Sequence, residues 1–228
     1  MDLSEPYKAA MKAFEKWLAN TPHAVTLFVI ADLFESDGFS EWFTALLAKH
    51  GERLTVGCHG LTHRSWSAWP EDREGFEASL KQATAVLKEK AGGHFRPWFR
   101  APAGYIAPWM ATTLAGQGYT VDSSVNPSWL VRKKAGKGNS WADVNDAMAQ
   151  QGVLERPWAT RFSLPVNGPA LTKFPLSVIA RGVWKKAPSV LTGSELDAAV
   201  PDSTQPLVTL YWHVLDHARN KATWTPPL

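Results

Sequence analysis

The sequence predicts an α/β fold, a distorted barrel in which helices alternate with strands that run parallel to one another. Three observations support this prediction. Short apolar runs such as residues 24–30 and 207–212 have the length of buried strands. Longer segments between such runs carry apolar residues at helical spacing. The residues that could carry chemistry follow predicted strands directly, which is where active sites collect in a barrel of parallel strands.

Length and composition favour one domain. The chain has 228 residues, enough for one substantial hydrophobic core and too few for two ordinary domains. Hydrophobic residues make up 45% and charged residues 20%, which is typical of a folded globular protein rather than a disordered one. We therefore expect a single domain over residues 1–228.

Charge, cysteine content and apolar runs exclude several classes of protein. The net charge of +3 is small, and the chain has no long basic run that would indicate a nucleic-acid site. Cys58 is the only cysteine, so an internal disulfide and a zinc-thiolate cluster are excluded. No apolar stretch approaches the roughly 20 residues that span a bilayer, and the first 20 residues do not resemble a signal peptide. We expect a cytoplasmic location, with association with the inner face of the membrane left open and the oligomeric state not predicted.

The first half of the chain contains two clear strands and three helices. Pro6 begins a helix with apolar residues at helical spacing. Residues 24–30 form the first apolar strand, and a helix follows over residues 39–49. Residues 54–57 form the second strand, which runs directly into the first histidine-containing segment. A long helix covers about residues 70–91.

The second half continues the alternation with shorter elements. In chain order we predict a strand at 98–100, a helix from Pro108 to Gly116, a strand at 119–122, a surface excursion at 126–151, edge or hairpin strands at 153–157 and 164–169, and a last strand at 207–212. Each candidate reactive residue then lies at or just after a strand end. Residues that are distant in sequence would therefore meet at one rim of the barrel.

His59 and His63 are the first candidate metal ligands. Their i, i+4 spacing places both imidazoles on the same side of a helical turn. Two nitrogen donors at this spacing suit one divalent cation. The alternative is a pair of surface or capping histidines, but the preceding strand and the flanking glycines favour the metal-binding interpretation.

Five short stretches occur in order along the chain: His-Gly-Leu-Thr-His at 59–63, Phe-Arg-Ala-Pro-Ala-Gly-Tyr at 99–105, Val-Asp-Ser-Ser at 121–124, Leu-Glu-Arg-Pro at 154–157 and Leu-Tyr-Trp-His at 210–213. They resemble the His-x-x-x-His, Arg-x-Pro, Asp-Ser-Ser, Glu-x-Pro and closing Leu-x-x-His or Leu-x-His motifs of the polysaccharide deacetylases of the NodB homology family (carbohydrate esterase family 4). The resemblance implies a distorted (β/α) barrel of that type, with an incomplete first strand.

The resemblance also implies residue roles. His59 and His63 would hold the metal, His213 would be the general acid, Arg100 would orient a carboxylate, and Asp122 would belong to the charge network around the site. Backbone N–H groups near Tyr105 could assist an oxyanion. Structural roles are the alternatives: a hydrogen-bonded core histidine at 213, an ion-pair partner at 100, and a turn or helix cap at 122.

The N-terminus departs from the family pattern. The family has two neighbouring aspartates at the end of its first strand, one a catalytic base and one the third metal ligand. Here Asp2 resembles the metal-ligand aspartate, with Met1 in the position of the base. In the other alignment Asp2 is the base, and Ser4 or Glu5 occupies the ligand position. We take Asp2 as the third metal ligand.

The implied function is removal of an N-acetyl or other acyl group from an amino sugar by a metal-dependent hydrolase. The substrate would be a polysaccharide or a lipid-linked or nucleotide-linked precursor. Zinc is the default for two histidines, one carboxylate and an open position, although cobalt, nickel or iron would also fit. The alternative is a degenerate relative that lost its base and acts as a glycan-binding or scaffold protein.

Two other classes of enzyme are disfavoured by missing motifs. The chain has no Gly-x-Ser-x-Gly segment, which disfavours a serine hydrolase. It also has no glycine-rich phosphate loop after a strand, which disfavours a nucleotide-phosphate enzyme.

Overall fold

Five short parallel strands form the central sheet in a computed structural model, which describes residues 3–187 and 191–228. These strands are Val25–Val29 (β1), Leu54–Cys58 (β2), Phe95–Phe99 (β3), Val121–Asp122 (β4) and Leu154–Glu155 (β5). Their spatial order follows the chain, from β1 to β5. A doubly wound sheet reverses its strand order at a switch point, whereas a barrel does not. The α/β prediction is confirmed, and the strand order is that of a curling, barrel-type sheet.

Helices and one hairpin complete the fold. The hairpin consists of the antiparallel strands Thr160–Arg161 (β6) and Leu164–Pro165 (β7). The helices are Glu5–Ala19 (α1), Asp37–His50 (α2), Arg73–Ala91 (α3), Met110–Gly116 (α4), Trp141–Gln150 (α5), Leu176–Trp184 (α6), Gly193–Ala199 (α7) and the short turn Arg219–Ala222 (α8). Among the residues described, no helix combines the length and the apolar character that crossing a membrane requires.

Several helices begin where the sequence supplies a capping side chain. Ser36 accepts a hydrogen bond from the Phe39 N–H at the start of α2, and Asp72 accepts one from Gly75 at the start of α3. At α5, the Ser140 side chain and the third helical residue exchange hydrogen bonds as a capping box. Such caps satisfy N–H groups that have no partner within the helix, each for about 1 kcal/mol.

The main hydrophobic core lies between the sheet and helices α1 to α5. Its largest fully buried members are aromatic or long aliphatic residues: Phe14, Phe43, Phe76, Phe99, Leu18, Leu46, Leu80 and Leu87. Burying each such side chain contributes about 1.5–3 kcal/mol relative to exposure. A smaller cluster lies under α6 and includes Trp184, Leu171 and Trp224. The described residues thus pack into two hydrophobic clusters.

Cys58 ends β2 inside the main core. Its side chain is completely buried, and burial raises the pKa of its thiol to about 11, although hydrogen bonds with Tyr119 and Gly60 partly oppose this. The thiol is therefore protonated and inaccessible under ordinary conditions.

The predicted strand at 207–212 is wrong as a regular element. Thr209 makes one isolated parallel bridge to Trp158, and its carbonyl accepts a hydrogen bond from Ala159 at 2.9 Å. Tyr211 does not continue this pairing. Its N–H donates to the Asn167 side-chain oxygen, and its carbonyl accepts from the Gly168 N–H. These long-range partners replace a strand ladder. The segment therefore contacts the chain beyond β5 through one isolated bridge.

A cavity of about 730 Å³ lies beside β1 and is lined on another side by residues 205–215. Within the described parts of the chain, β1 pairs only with β2, so its other edge faces this space.

Candidate active site

Each of the four neighbouring strands β2 to β5 has a polar side chain at or just after its carboxyl end. His59 follows β2, Arg100 follows β3, Asp122 ends β4 and Glu155 ends β5. Backbone hydrogen bonds hold these ends in register, including His59 N–H to the Val29 carbonyl at 2.9 Å. Because the strands are parallel neighbours, their carboxyl ends share one rim, as the sequence predicted.

His59 is held in an orientation that leaves one ring nitrogen available. Its Nδ1 lies 2.7 Å from the Arg100 carbonyl oxygen, so this nitrogen carries the proton and donates. The other nitrogen, Nε2, is then an acceptor. Burial lowers the pKa of His59 to about 3, and the nearby charge of Arg100 adds to this effect while the bond to its carbonyl opposes it. His59 is therefore neutral at physiological pH, the form that binds metals.

His63 lies beside His59 on the exposed side of the same loop. The two ring centroids are 5.4 Å apart and the ring planes are inclined by 69°. Two imidazoles on one tetrahedral zinc ion, with Zn–N bonds of about 2.0–2.1 Å, have ring centres roughly 5 Å apart. The observed pair therefore fits two of the ligands of one cation.

A third ligand is not found in the described part of the chain. No group of three His, Cys, Asp or Glu side chains there could hold a metal ion. Asp2, the ligand predicted from the resemblance, lies outside the described residues, and so does Met1. The described residues therefore supply two histidine ligands for a metal ion and no third ligand.

Asp32 is a nearby carboxylate that sequence reasoning missed. It follows β1, and its N–H donates to the Leu61 carbonyl within the histidine loop at 2.9 Å. Burial raises the pKa of its carboxyl group, as does Glu35, while His63 acts in the opposite direction. Its position as the first carboxylate after the strand at 24–30 was the available signal.

Arg100 carries a buried positive charge at the wall of the cavity. Its Nε donates to the Ser123 carbonyl and its Nη2 to the Ser123 hydroxyl, both at 2.9 Å. Its guanidinium carbon lies 4.3 Å from the Phe28 ring centroid, 5.2 Å from that of Tyr211 and 5.7 Å from that of Trp158. Burial lowers the pKa of Arg100 to about 10, so the charge persists at neutral pH.

No carboxylate of the described residues pairs with Arg100 within 4.0 Å. Asp122 and Glu155 act on it only over a longer range. The predicted role of Arg100 in orienting a carboxylate therefore remains a prediction. A buried cation held by one serine and three aromatic faces is suited to attract an anionic group into the cavity.

Asp122 and Glu155 form a buried carboxyl pair behind Arg100. They are directly paired in the register of β4 and β5. Asp122 Oδ1 accepts from the Ser124 hydroxyl at 2.6 Å, and Glu155 Oε1 accepts from the Val125 N–H at 3.1 Å. The remaining oxygen of each has no partner and no accessible surface. Burial, together with the charge of Asp122, raises the pKa of Glu155 well above its ordinary value.

One proton shared between the two free oxygens would satisfy both acids. Asp122 is therefore part of a structural pair at the rim and does not line the cavity, and a direct catalytic role for it remains a prediction. Glu155 appeared in sequence only as part of a motif. Its partnership with Asp122 depends on strand register, which the sequence does not display.

His213 lies on the opposite wall and is half exposed. Its N–H donates to Asp216 Oδ2 at 3.0 Å, and its Nδ1 is 3.4 Å from the same oxygen. The other oxygen of Asp216 accepts from Arg219 Nε at 2.8 Å. Burial opposes ionisation of Asp216, but the hydrogen bonds from His213 and Arg219 lower its pKa to about 2. A permanent carboxylate therefore lies beside the His213 ring.

The cavity brings four predicted residues together: His59, His63, Arg100 and His213. His59 lies close enough to His213 for their charges to interact. Aromatic residues also line the cavity, among them Phe28, Trp158, Trp184, Tyr211 and Trp212. Aromatic faces pack well against the apolar faces of ring-shaped ligands.

The loop at Tyr105 does not provide the N–H group that was predicted to assist an oxyanion. The Tyr105 N–H donates to the Pro102 carbonyl at 3.2 Å, and the Gly104 N–H donates to the Ala101 carbonyl at 2.9 Å. Both groups are used within the turn, so this prediction is wrong for the observed conformation.

Comparison with known proteins identifies the fold. No protein-family model matches the chain, and no curated protein does. Among solved structures, a Mycobacterium smegmatis protein assigned as a polysaccharide deacetylase matches 95% of this chain and 68% of its own, with a TM-score of 0.54 and 19% sequence identity. The chain has the polysaccharide deacetylase fold. The resemblance seen in the five motifs is thereby confirmed for the fold.

Two further structures are similar at lower scores. IcaB from Ammonifex degensii is 23% identical over 69% of this chain and 64% of its own, with a TM-score of 0.43. A carbohydrate esterase family 4 esterase from Streptococcus mutans is 14% identical over 90% of this chain and 68% of its own, with a TM-score of 0.44. In this chain the histidine loop follows β2 at the carboxyl end of the sheet, and His213 lines the same cavity.

Proposed function

We propose that this chain is a metal-dependent hydrolase that removes an acyl group, N-acetyl in the first instance, from an amino sugar. One observation carries the proposal: a neutral His59 with a free Nε2, its neighbour His63, and the carboxylate-supported His213 all face one aromatic-lined cavity. A hydrolytic site needs an electrophilic centre, an acid and a binding surface within reach of one another.

The metal would be held by His59 and His63, with Asp2 as the proposed third ligand and zinc as the default cation. A bound divalent cation supplies polarisation of the acyl carbonyl and a lowered pKa for its water. The donor chemistry supports this assignment, because one imidazole is fixed by a carbonyl and both rings lie at a suitable separation.

His213 would donate the proton that allows the sugar nitrogen to leave as an amine. Asp216 accepts a hydrogen bond from the His213 N–H and fixes the backbone at this position. The half-exposed ring can regain a proton from solvent after each turnover. Arg100, buried beneath the aromatic wall, would orient a carboxylate that acts on the attacking water.

The substrate class follows from the lining of the cavity. Trp158 and Tyr211 present aromatic faces beside Arg100, and a sugar ring could stack on such faces. A polysaccharide or a lipid-linked or nucleotide-linked precursor is proposed as the substrate. A cytoplasmic location is part of the same proposal.

The test measures bound metal and acetate release from a panel of N-acetylated amino sugars. His213→Ala should lower turnover by roughly two to four orders of magnitude, because removal of a general acid usually has an effect of this size. The metal content should not change. His59→Ala should abolish metal uptake. His94→Ala is the matched control, because this histidine lies against Gly51, away from the cavity. Unchanged turnover in His213→Ala would remove this residue from the mechanism.

A non-catalytic glycan-binding protein is the second candidate. It is favoured by the finding that the described residues supply only two metal ligands. This candidate predicts binding of amino sugars with neither metal uptake nor acetate release. The same panel therefore separates the two functions.

A further inference from the structure

One long stretch of the sequence contains no acidic residue. Between Arg156 and Ser194 there is no Asp or Glu, whereas six positions are Lys or Arg. The whole chain has a net charge of only +3. Arg156 points inward and donates to backbone carbonyls, but the other five cations are exposed: Arg161, Lys173, Arg181, Lys185 and Lys186. Positive charge is therefore concentrated on the surface of the β6–β7 hairpin and α6.

The same elements expose large apolar side chains. Phe174 is 84% exposed, Phe162 is 72% exposed and Val178 is 65% exposed. Of the nine large apolar side chains that are exposed in the described residues, five lie on this hairpin, on α6 or the residues just before it, or on the loop at 129–137. Scattered exposed residues are ordinary, but a cluster at one place marks an interaction site.

Helix α6 separates its two faces. Ala180 and Trp184 are buried in the smaller core cluster. On the solvent side, Val178, Arg181 and Lys185 follow one another at spacings of three and four and form one stripe. An apolar residue followed by cations on the exposed stripe is typical of a helix that lies at the surface of an anionic membrane.

The hairpin turn presents Phe162 at an energetic cost. Phe162 and Ser163 have φ angles of 51° and 56°, a left-handed conformation that bulky residues rarely adopt. The Arg161 guanidinium carbon lies 4.4 Å from the Phe162 ring centroid. A turn selected for stability alone would carry Asn or Gly at these positions. An exposed aromatic ring with a cation beside it is suited to the headgroup region of a bilayer.

A neighbouring loop continues this surface to the rim of the site. The loop at 129–137 contacts β7 and adds the exposed Trp129, Arg132 and Lys133. Lys134 of the same loop donates to the Ala103 carbonyl at 2.6 Å, and Ala103 lines the cavity. We call the hairpin, α6 and this loop the basic face.

We propose that the basic face binds the surface of an anionic lipid bilayer, with Phe162 and Phe174 inserted at the headgroup level and the cations on the lipid phosphates. Charge complementarity and exposed aromatic residues on the same elements carry this inference. It does not depend on the chemistry of the cavity. If the proposed hydrolase activity is also present, the membrane lies beside the rim at which its substrate enters.

The test is cosedimentation of the purified 228-residue chain with vesicles. We expect binding to vesicles of equal parts phosphatidylcholine and phosphatidylglycerol, weakening as salt is raised, and little binding to phosphatidylcholine alone. Phe162→Asn combined with Phe174→Ser should weaken binding by at least about tenfold, the scale of losing buried aromatic area. Asn tolerates the left-handed conformation, so this change should also preserve the turn.

Charge reversal supplies the matched comparison. Arg181→Glu with Lys185→Glu should weaken vesicle binding by at least about tenfold, since each cation near an anionic surface contributes about 1 kcal/mol. Lys81→Glu with Lys88→Glu on α3 makes the same change in net charge away from the basic face and should bind nearly as the original protein does.

Three results would overturn the proposal. These are absence of vesicle binding, equal binding to neutral vesicles, and equal losses from the α6 and α3 charge reversals. A concentration-dependent dimer that Phe162→Asn disrupts, without vesicle binding, would assign the surface to a second copy of this chain. Acetate release from a soluble substrate should be the same in all three double variants, so a failure here is distinguishable from a failure of the proposed hydrolase.

Discussion

The buried pair Asp122 and Glu155 makes a sharp prediction about stability and pH. In Glu155→Gln, the side-chain oxygen can still accept the Val125 N–H, and the new amide can donate to the free Asp122 oxygen at any pH. We expect this variant to be as stable as the original protein at pH 5 and more stable above it. Glu155→Ala instead leaves the Asp122 oxygen without a donor, which costs about 1–3 kcal/mol.

The sign of the pH dependence follows from the direction of the pKa shift. Burial and the charge of Asp122 raise the pKa of folded Glu155 well above 4.5, its ordinary value. The folded protein therefore retains a proton that the unfolded chain has lost. Stability is complete below pH 4.5 and declines as the pH rises from there toward the folded pKa, by at most about 1.4 kcal/mol per pH unit for one proton. Glu155→Gln should have a flatter profile.

The assay is urea unfolding of the three proteins at a series of pH values between 4.5 and 8. Arg100 is the charged group that faces the pair, and it is present in all three proteins. Parallel profiles for the original protein and Glu155→Gln would show that the pair holds no shared proton. Equal destabilisation by Gln and Ala would also contradict the predicted hydrogen bond.

Further predictions concern two other positions. Arg156 donates to the carbonyls of Ala199, Val200, Asp202 and Gln205. Arg156→Ala should therefore lower the free energy of unfolding by about 2–3 kcal/mol and make this segment sensitive to limited proteolysis. A variant as resistant to the protease as the original protein would contradict this role of Arg156. Gly104 has φ of 71°, and an added Cβ would lie 2.7 Å from the Trp158 ring. Gly104→Ala should therefore cost about 1–3 kcal/mol in thermal unfolding, whereas Gly116→Ala, where the space is open, should be neutral or stabilising.

The position of the site could be predicted from sequence because it depends on strand ends. His59, Arg100 and Asp122 each follow a recognisable apolar run, and parallel strands bring such ends together without further information. The spacing of His59 and His63 is likewise a local property. These predictions required the direction and order of the strands but no knowledge of side-chain packing.

The parts that could not be predicted depend on long-range partners. The segment at 207–212 looks like a strand, yet the Tyr211 backbone is bonded to Asn167 and Gly168, which no local pattern reveals. The pairing of Asp122 with Glu155 depends on the register of β4 and β5. Asp216 supports His213 from three residues away, a local signal that was available and not used.

The buried thiol of Cys58 has a practical consequence for experiments on this protein. It is the only cysteine in the chain, and neither alkylating reagents nor mild oxidants should reach it. A cysteine introduced at position 162 would be the single labelling site without any further engineering. A fluorophore attached there would report directly, by its emission, whether the hairpin tip enters a less polar medium.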